Sequence, residues 1–431
     1  MRSRSYFLET LQEESSGKNV KSRRYFQSCD ACGFQNSKTV GISKCPECGG
    51  TLNYRYDQGG KANVDGFPDK DLFGLWKYHK LLPIDDVRYC ITLGEGATPL
   101  TTSIRLRAEL GTAGRVMLKD ETQNPTGTYK DRPAAMGVSK AIEIGSGKVI
   151  IASDGNAGPA TAAYCARAGL KCFVLMPADT PVERNVQTIL YGANLILIEN
   201  STVSDCIDLI TDLSESYEWT HLTTAAAVNP YHFEGTKTIA FEIAEDLEWN
   251  TPDWVVMPAG GAGLSAAVWK GFLEIMEAGI ITELPRILAV QAEGCAPLVK
   301  AFKEGKKKVE RWENPSTLAK AISVPFPLDG ELVLRAIRDS GGSAISVSDV
   351  EMVRAAGVMA RLEGIFAEPT GAASVAGLAK ALEEGIISKK ESVVALVTGT
   401  GLKEITSFGK LLQSPKTIGR DISDLKNILD R

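Results

Sequence analysis

Seven short runs rich in apolar and β-branched residues recur along this chain, and most are followed by a loop and then amphipathic sequence. This alternation constrains the fold more than any other feature. The runs span residues 115–118, 148–152, 171–176, 194–198, 254–257, 287–291 and 393–397. Near-continuous apolar strands separated by helices need parallel sheets covered on both faces. The expected fold class is α/β. The segment Thr180-Pro181-Val182-Glu183 predicts a helix start, with Thr180 capping, Pro181 in the first turn and Glu183 completing a capping box. That helix should run to about Tyr191 and stop at Gly192.

The 431 residues leave room for two or three domains of ordinary size. Hydrophobic residues at 44% and charged residues at 23% are close to the globular average and make disorder, collagen and coiled coil poor first guesses. A net charge of −5 gives no footing for nucleic acid or an acidic membrane surface as the main partner. The uncharged stretch 254–269 is broken by Pro258 and glycines and falls short of the roughly 20 apolar residues of a membrane span. Residues 1–26 mix Arg, Lys and Glu without an apolar core, so the expectation is a cytoplasmic protein. No internal repeat interrupts the pattern.

Nine cysteines fall into two groups. Cys90, Cys165, Cys172, Cys206 and Cys295 are scattered and are expected as buried reduced thiols. The other four read Cys29-x2-Cys32, twelve residues, then Cys45-x2-Cys48. Two such knuckles match a closed, four-thiolate structural zinc site. The alternative is free thiols in a module that has lost its metal; two disulfides fit a reducing cytoplasm less well.

Four loops behind strands carry unusual chemistry, and in α/β folds ligands sit outside the carboxyl ends of strands. One reads Asn124-Pro125-Thr126-Gly127-Thr128-Tyr129-Lys130-Asp131-Arg132. The next reads Ser153-Asp154-Gly155-Asn156-Ala157-Gly158. A third, Pro258-Ala259-Gly260-Gly261-Ala262-Gly263-Leu264, precedes a helix starting near Ser265. Its small residues let backbone N–H groups and a helix N-terminus approach a phosphate. It matches neither the dinucleotide fingerprint nor the nucleoside-triphosphate loop, so a single phosphate monoester fits better. The fourth is Thr398-Gly399-Thr400-Gly401-Leu402-Lys403.

Together with Leu93-Gly94-Glu95-Gly96-Ala97-Thr98-Pro99-Leu100, Asn229-Pro230, Glu234-Gly235 and Glu363-Gly364-Ile365-Phe366-Ala367-Glu368-Pro369, these loops resemble the fold type II family of pyridoxal-phosphate enzymes. Within that family the resemblance is greatest to the threonine synthase group. It implies two parallel-sheet lobes, 66–125 plus 236–431 and 126–235, with the site between them and a separate module at 1–65. It also implies a homodimer acting as a lyase on a small amino acid. Lys130 matches the lysine that holds pyridoxal phosphate as a Schiff base. Asn156 matches the contact to the ring oxygen, Gly260, Gly261, Ala262, Gly263 and Leu264 the phosphate cradle, and Thr398 the hydroxyl facing the pyridine nitrogen. Ser153, Asp154, Gly155 and Ala157 are expected at the substrate carboxylate, and His232 at the distal end of the substrate. Similar N-terminal cysteine modules accompany threonine synthase relatives.

The resemblance breaks in the distal pocket. Where the family typically places polar groups for a substrate phosphate, this chain has Ala157, Ala226-Ala227, His232 and Leu264. The segment Ser323-Val324-Pro325-Phe326-Pro327-Leu328-Asp329-Gly330 also departs from the family's polar turn. Each lost charge-assisted hydrogen bond to an anion is worth about 1.5–3 kcal/mol. Three functions follow as expectations. They are conversion of O-phosphohomoserine and water to threonine and phosphate, β-elimination or β-replacement on a non-phosphorylated serine- or threonine-type amino acid, or an idle binding relative. Retention of Lys130, Asn156 and Thr398 argues against the last.

Overall fold

The computed structural model describes residues 24–38, 40–56, 66–213 and 217–409, with positions 417, 420 and 422. The sequence readings on residues 1–23 and on the Gly59-Gly60 stretch lie outside the described residues. Thirteen strands occur among the described residues. The N-terminal three are β1 (Tyr25–Cys29), β2 (Gln35–Asn36) and β3 (Leu52–Tyr56). Then come β4 (Leu100–Thr102), β5 (Val116–Asp120), β6 (Lys148–Ala152), β7 (Lys171–Pro177), β8 (Asn194–Ile198) and β9 (Thr220–His221). The last four are β10 (Trp254–Pro258), β11 (Arg286–Ala292), β12 (Ser343–Val347) and β13 (Val393–Val397).

They form three sheets. The largest runs β12-β11-β10-β13-β5-β4, parallel except for β4 at the edge. A second, all parallel, runs β8-β7-β6-β9. The third is the small antiparallel sheet β2-β1-β3 of the cysteine module. Every residue of β5, β10 and β13 is buried. Successive side chains of the large sheet feed two apolar layers. Val255, Met257, Ile287 and Val394 pack with Phe272 of the helix Gly263–Glu277. Val256, Leu288 and Ala395 pack with Leu378 of the helix Pro369–Glu383. Burial on both faces is why these strands read as apolar runs rather than alternating ones.

The helix expected after Thr180 spans Val182–Leu190, and the expected cap does not form. The cap position falls on Pro181, whose ring has no oxygen to offer, and the Thr180 hydroxyl is buried without a partner among the described residues. The Pro181 carbonyl takes the Arg184 N–H instead, at 3.1 Å. Gly192, at φ 79°, ends the turn as expected. Four of the scattered cysteines are buried, with Cys90 half-buried. No helix among the described residues is long and apolar enough to cross a membrane.

A buried ion network ties the strand-and-helix framework to the lysine loop. Arg132, fully buried, donates through Nε and Nη2 to Glu121 at 2.7 and 2.8 Å. It also donates through Nη1 and Nη2 to Glu242 at 2.8 and 2.7 Å. Lys119 adds a second cation 3.0 Å from Glu242. Burial opposes the charge on Glu242, but Arg132 and Lys119 hold its carboxyl well below the usual range. This network fixes the start of the helix Asp131–Glu143, directly after Lys130.

The cysteine module packs onto the segment around residues 230–234. The Gly41 N–H donates to the Tyr231 hydroxyl at 2.9 Å, and Tyr54 stacks on the Tyr231 ring with centroids 6.1 Å apart. Tyr56 donates to Glu234, and Lys140 donates to the Tyr25 hydroxyl at 2.8 Å.

Candidate active site

The four loops meet at the carboxyl ends of β5, β6, β10 and β13 and line one cavity. The lysine loop is stitched to the loop after β13. The Tyr129 N–H donates to the Thr398 carbonyl at 3.1 Å, and the Thr400 N–H to the Gly127 carbonyl at 2.9 Å. Gly127 sits at φ 82° with the Thr400 methyl where a side chain would lie. Lys130 therefore enters the cavity from a fixed base. Its Nζ donates to the Thr224 hydroxyl at 2.9 Å and lies 4.8 Å from the centre of the Tyr129 ring.

In the loop after β6 the Ser153 hydroxyl accepts the N–H groups of Gly155 and Gly158 at 3.2 and 3.0 Å. These bonds form the turn but use up the Gly155 donor. The backbone N–H groups of Asn156 and Ala157 remain without an acceptor among the described residues, at the N-terminus of the helix Ala157–Ala168. The Asn156 side chain donates from Nδ2 to Glu368 at 2.8 Å and keeps a second amide hydrogen. Asp154 lines the same side, its carboxyl raised by burial against the lowering influence of Arg184 and Lys130.

The Gly-rich loop precedes the helix Gly263–Glu277, which starts two residues before the expected Ser265. The N–H groups of Gly260 through Leu264 carry no acceptor among the described residues. A Cβ at Gly260 would meet the Ala321 carbonyl at 2.7 Å. One on Gly261 would meet nothing within 4 Å, so that residue is open to the cavity. Ala262 holds φ 73°, a left-handed conformation that costs a non-glycine residue about 1–2 kcal/mol.

Four buried oxygens beside the cavity lack hydrogen-bond partners among the described residues: Asn156 Oδ1, Thr398 Oγ1, Thr370 Oγ1 and Ser265 Oγ. Unpaired buried polar atoms are uncommon and call for a ligand. A row of free backbone donors at a helix N-terminus, a lysine amine, and polar atoms opposite them suit a phosphorylated heteroaromatic aldehyde.

Of the substrate- and cofactor-facing residues expected from sequence, Lys130, Ser153, Asp154, Gly155, Asn156, Ala157, His232, Gly260, Gly261, Ala262, Gly263, Leu264 and Thr398 line this one cavity, whereas Ala226 and Ala227, expected in the distal pocket, do not. Sequence reasoning missed Thr224, Glu368 and Thr370 as cavity-lining groups. Glu368 had a signal, since it lies in the Glu-Pro motif; the other two are brought in by tertiary contacts alone. His232 is buried, and that burial together with the Lys130 charge pushes its imidazole well below its ordinary value, so it is neutral at pH 7.

The four thiols of the module also converge. Their sulfurs lie within 4.8 Å of one another, with Cys29 to Cys48 and Cys32 to Cys45 both at 3.5 Å. Tetrahedral Zn–S bonds of about 2.3 Å imply S···S separations of about 3.8 Å. The separations exceed the roughly 2.05 Å of a disulfide. The donor set fits zinc.

The sequence matches the family described as pyridoxal-phosphate dependent enzyme over residues 91–399, and the chain belongs to that family. Within it, the similarity is to threonine synthases. The protein of that name from Methanocaldococcus jannaschii is 40% identical over 94% of this chain and 99% of its own length. The one from Methanosarcina acetivorans is 39% identical over 94% and 98%. That of Mycobacterium tuberculosis is 38% identical over 76% and 87%. The fold is shared with maize serine racemase at 21% identity, with a TM-score of 0.61 over 73% of this chain and 91% of that one. It is shared also with the processed threonine deaminase isoform 2 of Solanum lycopersicum, at 22% identity and a TM-score of 0.58 over 73% and 84%.

Proposed function

We propose that this chain is a pyridoxal-phosphate-dependent lyase performing threonine-synthase-like elimination and replacement, with O-phosphohomoserine and water going to threonine and phosphate as the parent reaction. One observation carries this reading: Lys130, Asn156, Thr398 and the Gly260–Leu264 donors meet in one cavity of a chain similar to threonine synthases along nearly its whole length. Pyridoxal phosphate, when bound, supplies the electron sink that stabilises negative charge at the substrate Cα. The protein's part is positional. The Gly260–Leu264 N–H groups would hold the phosphate, and Thr398 would offer the ring a neutral hydroxyl rather than a carboxylate. Asn156, oriented by Glu368, would have its second amide hydrogen left for the ring. Lys130 would anchor the cofactor and hold or move the Cα proton, its amine aimed by Thr224. The Asn156 and Ala157 N–H groups bind the substrate carboxylate.

We assign the site to the junction of lobes 66–125 plus 236–431 and 126–235, in a cytoplasmic homodimer serving amino-acid biosynthesis, as the family resemblance implies. We also assign zinc to Cys29, Cys32, Cys45 and Cys48. The expected stoichiometry is about one zinc per chain. Metal analysis of freshly reduced protein that finds none refutes the zinc.

A second reading keeps this chemistry but moves it to a non-phosphorylated serine- or threonine-type amino acid. Ala157 and Leu264 line the cavity with apolar surface, and His232 is neutral there. The test is a panel of phosphohomoserine, phosphoserine, serine, threonine and an O-acyl serine under one set of conditions. The second reading expects phosphohomoserine to rank below the O-acyl serine in kcat/KM, and the parent reaction expects it to rank highest. If phosphohomoserine ranks highest and His232→Ala lowers it, the parent reaction stands as the true one.

A further inference from the structure

The helix Val182–Leu190, which joins β7 to β8, turns its apolar side chains outward: Val182, Val186, Ile189 and Leu190 are all exposed. Its two buried residues are Arg184 and Thr188. A helix that buries an arginine in place of its apolar face is held by polar contacts more than by packing. Arg184 is fully buried, and its Nη1 donates to the Asp154 carbonyl at 3.3 Å. Its Nη2 donates to Glu404 at 3.2 Å and reaches Glu368 at 3.5 Å, both buried carboxylates.

These contacts cross from one sheet to the other. Asp154 and Asn156 follow β6 of the four-stranded sheet, whereas Glu368 precedes the helix Pro369–Glu383 and Glu404 follows β13 of the six-stranded one. Glu368 stands between the two sides. One of its oxygens accepts the Asn156 amide at 2.8 Å, and the other faces Arg184. Lys403 is also near enough to act on Glu368, but it directs its amine to Gln187 and to the Thr126 carbonyl. Arg184 does not line the cavity, so its influence on the site passes through these partners.

We propose that Arg184 is a positioning residue: it holds Glu368 as a fixed acceptor for Asn156 and so sets the amide that faces the cofactor ring. This rests on the reading above, in which Asn156 meets that ring. A guanidinium suits the task, because one planar fork holds the Asp154 carbonyl and both carboxylates at set angles. With Arg184 removed, Glu368 and Glu404 lose the guanidinium nitrogen they share, and the bond from Asn156 is free to rearrange.

The test reads the dissociation constant of pyridoxal phosphate and the visible absorption band of the bound cofactor. It compares wild type, Arg184→Met, Glu368→Ala and the double variant. Each single substitution is expected to weaken cofactor binding by about tenfold and to shift the band. The double variant is expected to stay near tenfold, short of the roughly hundredfold of independent effects, because the arginine acts through the glutamate. Arg184→Lys keeps the charge without the fork and guards against a folding defect. It should shift the band in the same direction by less, and should add nothing in the Glu368→Ala background. An arginine that only stabilises the fold would lower the melting temperature while the folded fraction kept its wild-type band and affinity. That result, or a double variant whose losses multiply, overturns the proposal. If wild type binds pyridoxal phosphate but turns over no amino acid, the reaction class fails, and the cofactor readouts still decide for or against Arg184. A wild-type protein that binds no pyridoxal phosphate overturns both.

Discussion

Lys130→Ala is expected to lower kcat/KM by at least about a thousandfold, because in the proposed function one amine both anchors the cofactor and moves the Cα proton. The wild-type protein should be yellow, and borohydride should bleach that colour while fixing the cofactor to a peptide containing Lys130. In the alanine variant the same treatment should label nothing. The effect is large because the surroundings supply no replacement. Lys403, the other lysine of these loops, has its Nζ tied to the Thr126 carbonyl at 3.0 Å. Burial lowers that amine to about 8, yet its bond points it away from the cavity that Lys130 enters. Turnover near the native rate in Lys130→Ala would sink the assignment of this site.

The second large effect is on stability. Arg132→Met should destabilise the fold by about 3–5 kcal/mol, since it leaves Glu121 and Glu242 buried and facing each other without their shared cation. The pH dependence has a definite sign. Glu242 is held below its unfolded value in the native protein, so its contribution is present above the ordinary carboxylate range and is lost as pH falls through it. In the variant Glu121 and Glu242 keep only Lys119, beside Glu242, as a nearby cation, and protonation relieves them. The gap between wild type and variant should therefore be widest near pH 7.5 and narrow towards pH 5. Thermal melts of both proteins at these two values measure it; a gap that widens in acid contradicts the network's role. Loss of cofactor content should accompany the change, because the same arginine fixes the helix that begins after Lys130.

Much of this architecture was legible in sequence, for a physical reason. Strands β5, β10 and β13 are buried on both faces, so their apolar runs need no partner to be recognised. Strand β12 was missed because its Ser-Ala-Ile-Ser-Val sequence is half polar, and β4 because it is three residues of half-exposed edge. The four cavity loops announced themselves through glycine, proline and lysine in fixed order. Thr224 and Asp329 did not. Thr224 follows another threonine in a turn without pattern, and Asp329, although inside the Ser323–Gly330 segment that departs from the family, has no neighbour in sequence that names its partner. What makes each matter is a contact across 94 or 103 residues, to Lys130 and Ala226 respectively. The expected Thr180 cap shows the converse, a sound local signal displaced by one residue when the proline took the cap position.

The cysteine module's seat on Tyr231 also sets a schedule for synthesis. The Gly41-to-Tyr231 bond joins residues 190 apart, so the module leaves the ribosome long before its docking surface exists. At about 5–20 residues per second, the wait is roughly 10–40 s. Throughout that interval Tyr54, a buried ring in the finished protein, keeps only its edge contact with Tyr25 of the same small sheet and lacks Tyr231 on its face. A nascent chain whose small sheet is already closed around its four thiolates keeps this aromatic face ordered and ready. One whose sheet is open offers unpaired strands and bare tyrosines to its neighbours on the same message. If the four thiols hold the proposed zinc, yield of soluble protein during translation, rather than activity afterwards, is where a shortage of metal would first register.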